Sequence, residues 1–218
     1  MGNLYLSEIY AIISDRMWGK VTVKKSFIQR IQHKGRGSVF SAKDFLNFGS
    51  RGAVDQALSR LARRGVIRRL DWGIYDYPKI SRNLGVLSPD PIAVARAMAR
   101  QTGSTIQVTG ARAANTLGLT DQVPAKVVYL TDGPTRTVQV GNQTISLHHA
   151  SKRNLVGAGQ PSGIVFQALR YLGKDQVRDD TIVKLRQVLS PQQKKDLRRH
   201  VGRAPDWTRE VIEQITGV

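Results

Sequence analysis

Apolar residues recur every three or four positions along the first part of the chain, which is the spacing of a helix with one buried face. The first such run covers residues 5–17 and is carried by Leu6, Ile9, Tyr10, Ile13 and Met17. A second run, over residues 23–31, has the same period and stops at two glycines, Gly35 and Gly37. The pattern predicts a helical amino-terminal extension over residues 1–21, followed by a second helix.

Two short helices and a hairpin are predicted next. Ser41 and Ser50 stand where helix N-caps are expected, and the second of these helices runs to Arg64, with Gly65 just beyond it. The period then changes from helical to alternating over residues 66–70 and 74–77, around a tight turn at residues 71–73. The order helix, helix, helix, hairpin predicts a winged helix-turn-helix over residues 22–80.

The remaining pattern predicts a second domain of mixed composition. Residues 81–91 contain Ser-Pro-Asp-Pro, which cannot continue a helix, and they are expected to form a linker. Residues 92–218 alternate between short strands and helices, with a hairpin expected around Gly141 and Asn142 and only helices from Gly163 onward. The chain is therefore expected to have an α+β fold, with the carboxyl-terminal domain mixed α/β.

Charge narrows the function. The 34 Lys and Arg against 16 Asp and Glu leave a net charge of +18. Residues 1–80 carry 15 bases and six acids, and residues 151–218 carry 13 and seven, so the two ends are the basic parts. Such clustering is typical of a nucleic-acid binder, because displaced counterions supply non-specific affinity. A basic surface that is merely solvated is the alternative, and membrane-surface binding fits less well because the bases are spread over several elements.

The candidate DNA-binding residues lie on the outward face of the helix over residues 51–64 and on the hairpin. Arg and Gln side chains on that face have the chemistry to bond guanine and adenine edges, and the hairpin cations suit phosphate. The expected set is Ser50, Arg51, Asp55, Gln56, Ser59, Arg60, Arg63, Arg64, Arg68, Arg69 and Trp72. Only Asp71 lies near the five arginines from Arg60 to Arg69 in sequence, so their charge is expected to be unbalanced. A winged domain that binds protein is the alternative, against which the charge argues.

Other chemistry is weakly signalled. The chain has no Cys, and no metal, cofactor or catalytic constellation is expected, so an enzyme is not expected. Gly157, Gly159 and Gly163 precede a helix, but a flexible loop is favoured over a phosphate site. His33 and His200 lack carboxylate companions at ligand spacing, and the adjacent His148 and His149 should face opposite sides of a strand. Without a membrane-spanning run or a signal-peptide pattern, a cytoplasmic protein with no membrane partner is expected.

Four segments carry a family resemblance: residues 37–41, 49–61, 88–91 and 123–133. In these segments, and more loosely from about residue 22 to the carboxyl end, the sequence resembles the AbiE-type (AbiEi) antitoxins of bacterial type IV toxin-antitoxin systems. The resemblance implies a winged helix that represses its own operon at inverted repeats in double-stranded DNA. It also implies a carboxyl-terminal antitoxin domain that counteracts a nucleotidyltransferase toxin, in some members without a stable complex.

A second basic surface is expected on the carboxyl-terminal domain. Its members are Lys152, Arg153, Lys194, Lys195, Arg198 and Arg199. The last four share one face of a helix after Ser190, with Leu197 and Val201 turned toward the core. This surface either extends the DNA footprint, engages the toxin or its target, or is simply solvated.

The alternatives for the whole chain are a winged-helix regulator with a sensing or dimerising domain and no toxin, and a nucleic-acid enzyme.

Overall fold

A computed structural model describes residues 21–217, which fold as mixed α and β structure in two compact units divided after Gln101. The helix expected over residues 5–17 lies outside the described residues. The helices of the first unit are α1 (Val21–Lys34), a 3₁₀ helix (Ala42–Phe48), α2 (Arg51–Arg63) and α3 (Pro91–Thr102). Its strands are β1 (Val39–Ser41), β2 (Arg68–Asp71), β3 (Ile74–Asp76), β4 (Ile80–Ser81) and β5 (Gly85–Val86).

Aromatic rings hold the core of the first unit together. The ring of Phe27 on α1 stacks on that of Phe45 with centroids 4.6 Å apart, and Phe40 meets Phe45 edge-on at 5.2 Å. Offset and edge-to-face contacts of this kind stabilise a core beyond the area they bury. The other buried members of this cluster are Ile28, Ile31, Ala42, Val54, Ala57, Leu58, Leu61, Ile67, Tyr75 and Tyr77. The core therefore joins α1, the 3₁₀ helix, α2 and the strands.

The helix predicted to begin after Ser41 is a 3₁₀ helix rather than an α-helix. The backbone N–H of Ser41 donates to Oδ2 of Asp44 at 2.7 Å, and the Ser41 hydroxyl lies 3.2 Å from the same oxygen. Oδ1 of Asp44 accepts from Nε of Arg100 at 3.1 Å. One carboxylate thus closes the start of this helix and ties α3 to it.

The described part of the first unit contains two hairpins. Strands β1, β3 and β2 form an antiparallel sheet in that order, and Gly73 turns the β2–β3 hairpin with a φ of +67°. A bulge interrupts the β2–β3 register between Arg69 and Asp71. The second hairpin, β4–β5, begins at Ile80 and overlaps the segment expected to be a linker.

The boundary between the two units differs from the expected one. It falls after Gln101, so the segment over residues 81–91 and nearly all of α3 belong to the first unit. Two side chains near the end of α3 explain this: Arg100 donates to the carbonyl of Val39 at 3.1 Å, and Gln101 donates to that of Trp72 at 3.1 Å. The proline-rich pattern marked the start of a helix correctly and a domain boundary wrongly.

The second unit places a four-stranded sheet beside helices. Its strands are β6 (Ile106–Val108), β7 (Val127–Thr131), β8 (Arg136–Val140) and β9 (Gln143–His149). Its helices are α4 (Gly110–Thr116), α5 (Pro161–Leu172), α6 (Asp179–Val188), α7 (Pro191–His200) and α8 (Trp207–Thr216). Three short 3₁₀ helices lie between them, Lys152–Asn154, Lys174–Gln176 and Val201–Arg203.

The sheet of the second unit is mixed. Its strand order is β6-β7-β9-β8, with β7 parallel to β9 and the other two pairs antiparallel. The hairpin expected around Gly141 and Asn142 is confirmed, with Val140 paired to Gln143 across the turn. The parallel pairing of β7 with β9 has no local signal in the sequence.

Small residues let α4 lie close to α5. A Cβ at Gly110 would lie 2.6 Å from Cβ of Tyr171 and 2.9 Å from the carbonyl oxygen of Gln167, so only glycine fits there. Ala113 and Ala114 on the same helix are fully buried in a core shared with Leu169 and Leu185. This core anchors the helices that carry the basic residues of the second unit.

The revised boundary predicts how a fragment behaves. A fragment of residues 1–101 keeps the hydrogen bonds of Arg100 and Gln101, whereas a fragment of residues 1–86 loses them together with the bond from Arg68 to the carbonyl of Leu87. We expect the shorter fragment to be less stable to urea by about 2 kcal/mol or more. Equal urea midpoints for the two fragments would place the boundary before α3 after all.

Candidate nucleic-acid interface

Helix α2 has one face in the core and one face in solvent. Ser50 is its N-cap, and the Ser50 hydroxyl accepts from the backbone N–H of Ala53 at 3.4 Å. The buried face carries Val54, Ala57, Leu58 and Leu61. On the other face Gln56, Arg63 and the C-cap residue Arg64 are exposed, and Ser59 and Arg60 are half-buried.

The first turn of α2 carries its own ion pair. Nε of Arg51 donates to Oδ2 of Asp55, one helical turn away, at 2.9 Å, and both side chains are about half exposed. An exposed pair of this kind contributes about 0.3–0.5 kcal/mol. Arg51 and Asp55 were expected as separate contacts to DNA, whereas in the folded chain they bind each other, weakly enough for a phosphate to displace the carboxylate.

Arg68 is held in the fold, which corrects its assignment to the interface. Its Nε and a terminal nitrogen donate to the two carboxylate oxygens of Asp76 at 3.1 and 2.6 Å, and it also donates to the carbonyl of Leu87 at 3.1 Å. The Asp76 carboxylate is 1% exposed. The expectation that Asp71 alone could balance these arginines is wrong, because Asp76 lies across the hairpin from Arg68.

The tip of the β2–β3 hairpin is exposed, with Trp72 76% accessible. The guanidinium of Arg69 lies 5.4 Å from the ring centroid of Trp72, and its Nε donates to the carbonyl of Asp71 at 3.4 Å. A cation over an indole ring is attracted by the ring quadrupole. The tip therefore presents a flat aromatic ring and a positive charge together.

Tyr75 connects the hairpin with the start of α2. Burial raises the pKa of the Tyr75 hydroxyl above its usual value, Arg69 and Arg51 act to lower this pKa, and Asp55 acts to raise it. Arg69 pairs with Tyr75 across the β2–β3 hairpin, and α2 contacts β2. The two elements that carry the candidate residues are thus adjacent.

The second basic surface is only partly as expected. Leu197 on α7 is fully buried, and Lys195 and Arg199 are exposed, as the spacing predicted. Lys194 is half-buried, and Arg198 donates to the carbonyl of Thr216 at 2.6 Å. A cation there satisfies a carbonyl at the carboxyl end of α8 and opposes its dipole. Arg198 therefore stabilises the fold. The other two expected members of this surface, Lys152 and Arg153, line a cavity together with His200 and Arg203.

His200 does have a carboxylate companion, contrary to expectation. Its Nδ1 lies 3.4 Å from Oδ1 of Asp196, 3.0 Å from the Asp196 carbonyl oxygen and 3.2 Å from Oγ of Ser162. A serine-histidine-aspartate relay needs the carboxylate and the hydroxyl on different ring nitrogens. Because one nitrogen meets both here and Ser162 is 1% exposed, the group is a structural network. The four-residue spacing from Asp196 to His200 was the signal that sequence analysis missed.

The glycine-rich segment before α5 is packed rather than open for phosphate. Pro161 has no N–H, the N–H of Ser162 donates to Oδ2 of Asp196 at 3.0 Å, and that of Gly163 donates to the carbonyl of Gln160 at 3.1 Å. A Cβ at Gly163 would lie 2.3 Å from the carbonyl oxygen of Gly157. The N–H groups that a phosphate would use are thus occupied.

Two features are absent from residues 21–217. This part of the chain contains no cluster of three or more side chains of the kinds that hold a metal ion. It also contains no helix with the length and apolar character needed to cross a bilayer.

Arg68 and Arg69 give a matched pair of variants. Arg68→Ala should lower the free energy of unfolding by about 3 kcal/mol or more, because the buried Asp76 carboxylate loses its ionic partner. Arg69→Ala removes the same side chain from an exposed position and should change stability by about 0.5 kcal/mol or less. Urea denaturation measures both, and similar losses would contradict the roles assigned to the two arginines.

Comparisons with known proteins identify a family and a structural neighbour. The profile of a family of unknown function, DUF6088, matches residues 26–197. No curated protein matches the sequence significantly. Among solved structures, the chain is similar to the crystal structure of the RV2827C protein from Mycobacterium tuberculosis, at 15% identity and a TM-score of 0.40 over 93% of this chain and 78% of that one. This likeness is too low to carry an argument.

Proposed function

This chain belongs to the DUF6088 family, whose function is unknown, and we propose that its first unit is a winged helix-turn-helix that binds double-stranded DNA. The observation that carries the proposal is α2, whose apolar face is buried while its opposite face presents Gln56 and Arg63 to solvent, and which contacts strand β2 of the hairpin. The order α1, β1, 3₁₀ helix, α2, β2, β3 supports it, because a helix-turn-helix with a hairpin behind it has this arrangement of elements.

The chemistry of each surface suggests a role on DNA. Gln56 and Arg63 project from α2, where they suit the base edges of a major groove. Arg69 and Trp72, at the hairpin tip, suit a phosphate and the sugar beside it. The proposed interface also includes Ser50, Ser59, Arg60 and Arg64. Arg51 contacts DNA only when it releases Asp55. Arg68 is no longer part of the proposed interface, because it binds Asp76.

Two variants should separate base reading from phosphate contact. Gln56→Ala should weaken binding to DNA from upstream of the chain's own gene by about 1–3 kcal/mol and relax the preference at one base pair. Arg69→Ala should weaken binding to every sequence and lower the slope of log affinity against log salt by about one unit. Fluorescence anisotropy with native and scrambled duplexes at several salt concentrations measures both effects.

The matched control is Gln187→Ala, which removes an exposed glutamine from α6 in the second unit. It should leave the affinity and the salt slope unchanged. If Gln56→Ala reduces binding to native and scrambled DNA equally, Gln56 contacts only the backbone, and base reading by α2 is refuted.

We propose that the whole chain is an autorepressor and antitoxin that acts in the bacterial cytoplasm against a nucleotidyltransferase toxin. The support is the sequence resemblance to AbiE-type antitoxins in residues 37–41, 49–61, 88–91 and 123–133. The competing proposal is a transcriptional regulator with the same DNA-binding unit, a ligand-sensing second unit and no toxin partner. A cavity in the second unit favours that alternative and is described below.

Co-expression with the neighbouring gene tests the antitoxin proposal. The native chain should restore growth to cells that express a toxic nucleotidyltransferase encoded beside it, and failure to do so would refute the proposal. The α7 triple variant Lys194→Glu, Lys195→Glu and Arg199→Glu leaves the bond from Arg198 to α8 in place. It should abolish tight operator binding, because each neutralised phosphate adds affinity.

The control for the α7 triple variant is Lys174→Glu, Arg178→Glu and Arg209→Glu, which changes charge equally on exposed residues outside α7. Loss of rescue with unchanged operator affinity would assign the α7 cations to antitoxicity instead of DNA. Equal loss of binding in both triple variants would show that net charge alone is responsible.

A further inference from the structure

The second unit contains a cavity of about 680 Å³ whose polar lining is mainly basic. Small-molecule sites usually have volumes of roughly 300–1,000 Å³ and combine apolar walls with a few convergent polar groups. The lining cations are Lys152, Arg153 and Arg203, and His200 lies with them. We propose that this cavity binds a small organic molecule that carries a phosphate or diphosphate group, a proposal independent of the DNA-binding function.

The charge of the lining selects an anion. Asp132 is the one carboxylate there, and its two oxygens already accept from the backbone N–H of Thr105 at 2.7 Å and the Thr105 hydroxyl at 3.3 Å. Among the described residues, Lys152, Arg153 and Arg203 form no ion pair. Like charges around a concave surface concentrate a positive potential, which a bound anion relieves. Arginine suits phosphate in particular, because its planar fork donates two parallel hydrogen bonds.

Hydrogen bonds from other residues fix the backbone that carries Lys152 and Arg153. Asn154, which follows Lys152 and Arg153 in a 3₁₀ turn, accepts at its carbonyl oxygen from the amide of Gln167, which is itself buried. Arg170 donates to the side chain of Asn154 and, at 3.1 Å, to the carbonyl oxygen of Arg153. A site whose backbone is ordered before binding loses less entropy when its ligand arrives.

The facing wall is held by the network already described. Nδ1 of His200 is engaged by Asp196 and Ser162, which leaves Nε2 as the ring nitrogen available to a ligand. Arg203 follows in the 3₁₀ helix after α7, where the N–H of Ala204 closes the turn onto the carbonyl of Val201 at 3.0 Å. Cations from two separate segments thus converge on one space.

The apolar lining indicates that the ligand is larger than phosphate. Leu155, Val156 and Ala158 contribute to the wall next to the basic turn. Inorganic phosphate would meet the cations and leave this wall in contact with water. A phosphate ester would place its charged group on the cations and its organic part against the wall, which removes apolar surface from water.

Isothermal titration of the full chain with inorganic pyrophosphate and with adenosine diphosphate tests the proposal. Both should bind with one-to-one stoichiometry, and adenosine diphosphate should bind more tightly because it also contacts the apolar wall. The double variant Arg153→Ala and Arg203→Ala should weaken each interaction about tenfold or more, the size of about 1.4 kcal/mol. Lys152→Ala, which removes the third cation of the cavity lining, should also weaken the binding of pyrophosphate and of adenosine diphosphate.

The control is Arg178→Ala with Arg209→Ala, which removes the same charge from exposed positions outside the cavity lining. It should retain the affinity for both probes, and the cavity variant should bind operator DNA no more weakly than this control does. Equal weakening in the two double variants, or no binding of either probe, would overturn the proposal. Unchanged pyrophosphate binding with weaker binding of a DNA duplex in the cavity variant would also overturn it, because the cations would then serve nucleic acid.

Discussion

The buried carboxylate of Asp76 is the constraint on which the first unit depends. It sits on the central strand β3, opposite Val39 of β1 on one side and Arg68 of β2 on the other. A buried charge must be met by another charge and by well-placed donors, and Arg68 meets it with two hydrogen bonds and reaches on to Leu87. The register of the hairpin, the course of the chain after it and the binding of Arg68 within the fold are tied to one ion pair.

The basic residues of this chain therefore divide into those that serve the fold and those that remain available to a partner. Arg68 and Arg100 bind carboxylates, and Arg198 binds the end of a helix. Each of these contacts removes a cation that composition alone would assign to an interface. The net charge of +18 still favours an anionic partner. Where the cations outside these contacts lie, on the surface of α2 and the hairpin tip, on α7 and in the cavity of the second unit, says more about that partner than the net charge does.

Local signals in the sequence were sufficient for most elements. Ser50 as a cap, the two-residue turn at Gly141 and Asn142, and the apolar spacing of α2 each act within a few residues, so their meaning does not depend on distant parts of the fold. The β4–β5 hairpin was missed because its strands have two residues each. The distant partners were missed for another reason: Arg68 faces Asp76 only when the bulge after Arg69 is known, and Arg100 reaches Asp44 across 56 residues.

The parallel pairing of β7 with β9 dictates an order of assembly for the second unit. Strands β8 and β9 are joined by a two-residue turn, so they can pair as soon as that segment collapses. Strand β7 can reach β9 only from the far side of the completed hairpin, and β6 joins β7 across the whole of α4 and the loop that follows. These pairings close long loops before any contact compensates the lost chain entropy. The sheet should therefore grow outward from its carboxyl-terminal hairpin, with the edge strand β6 added last.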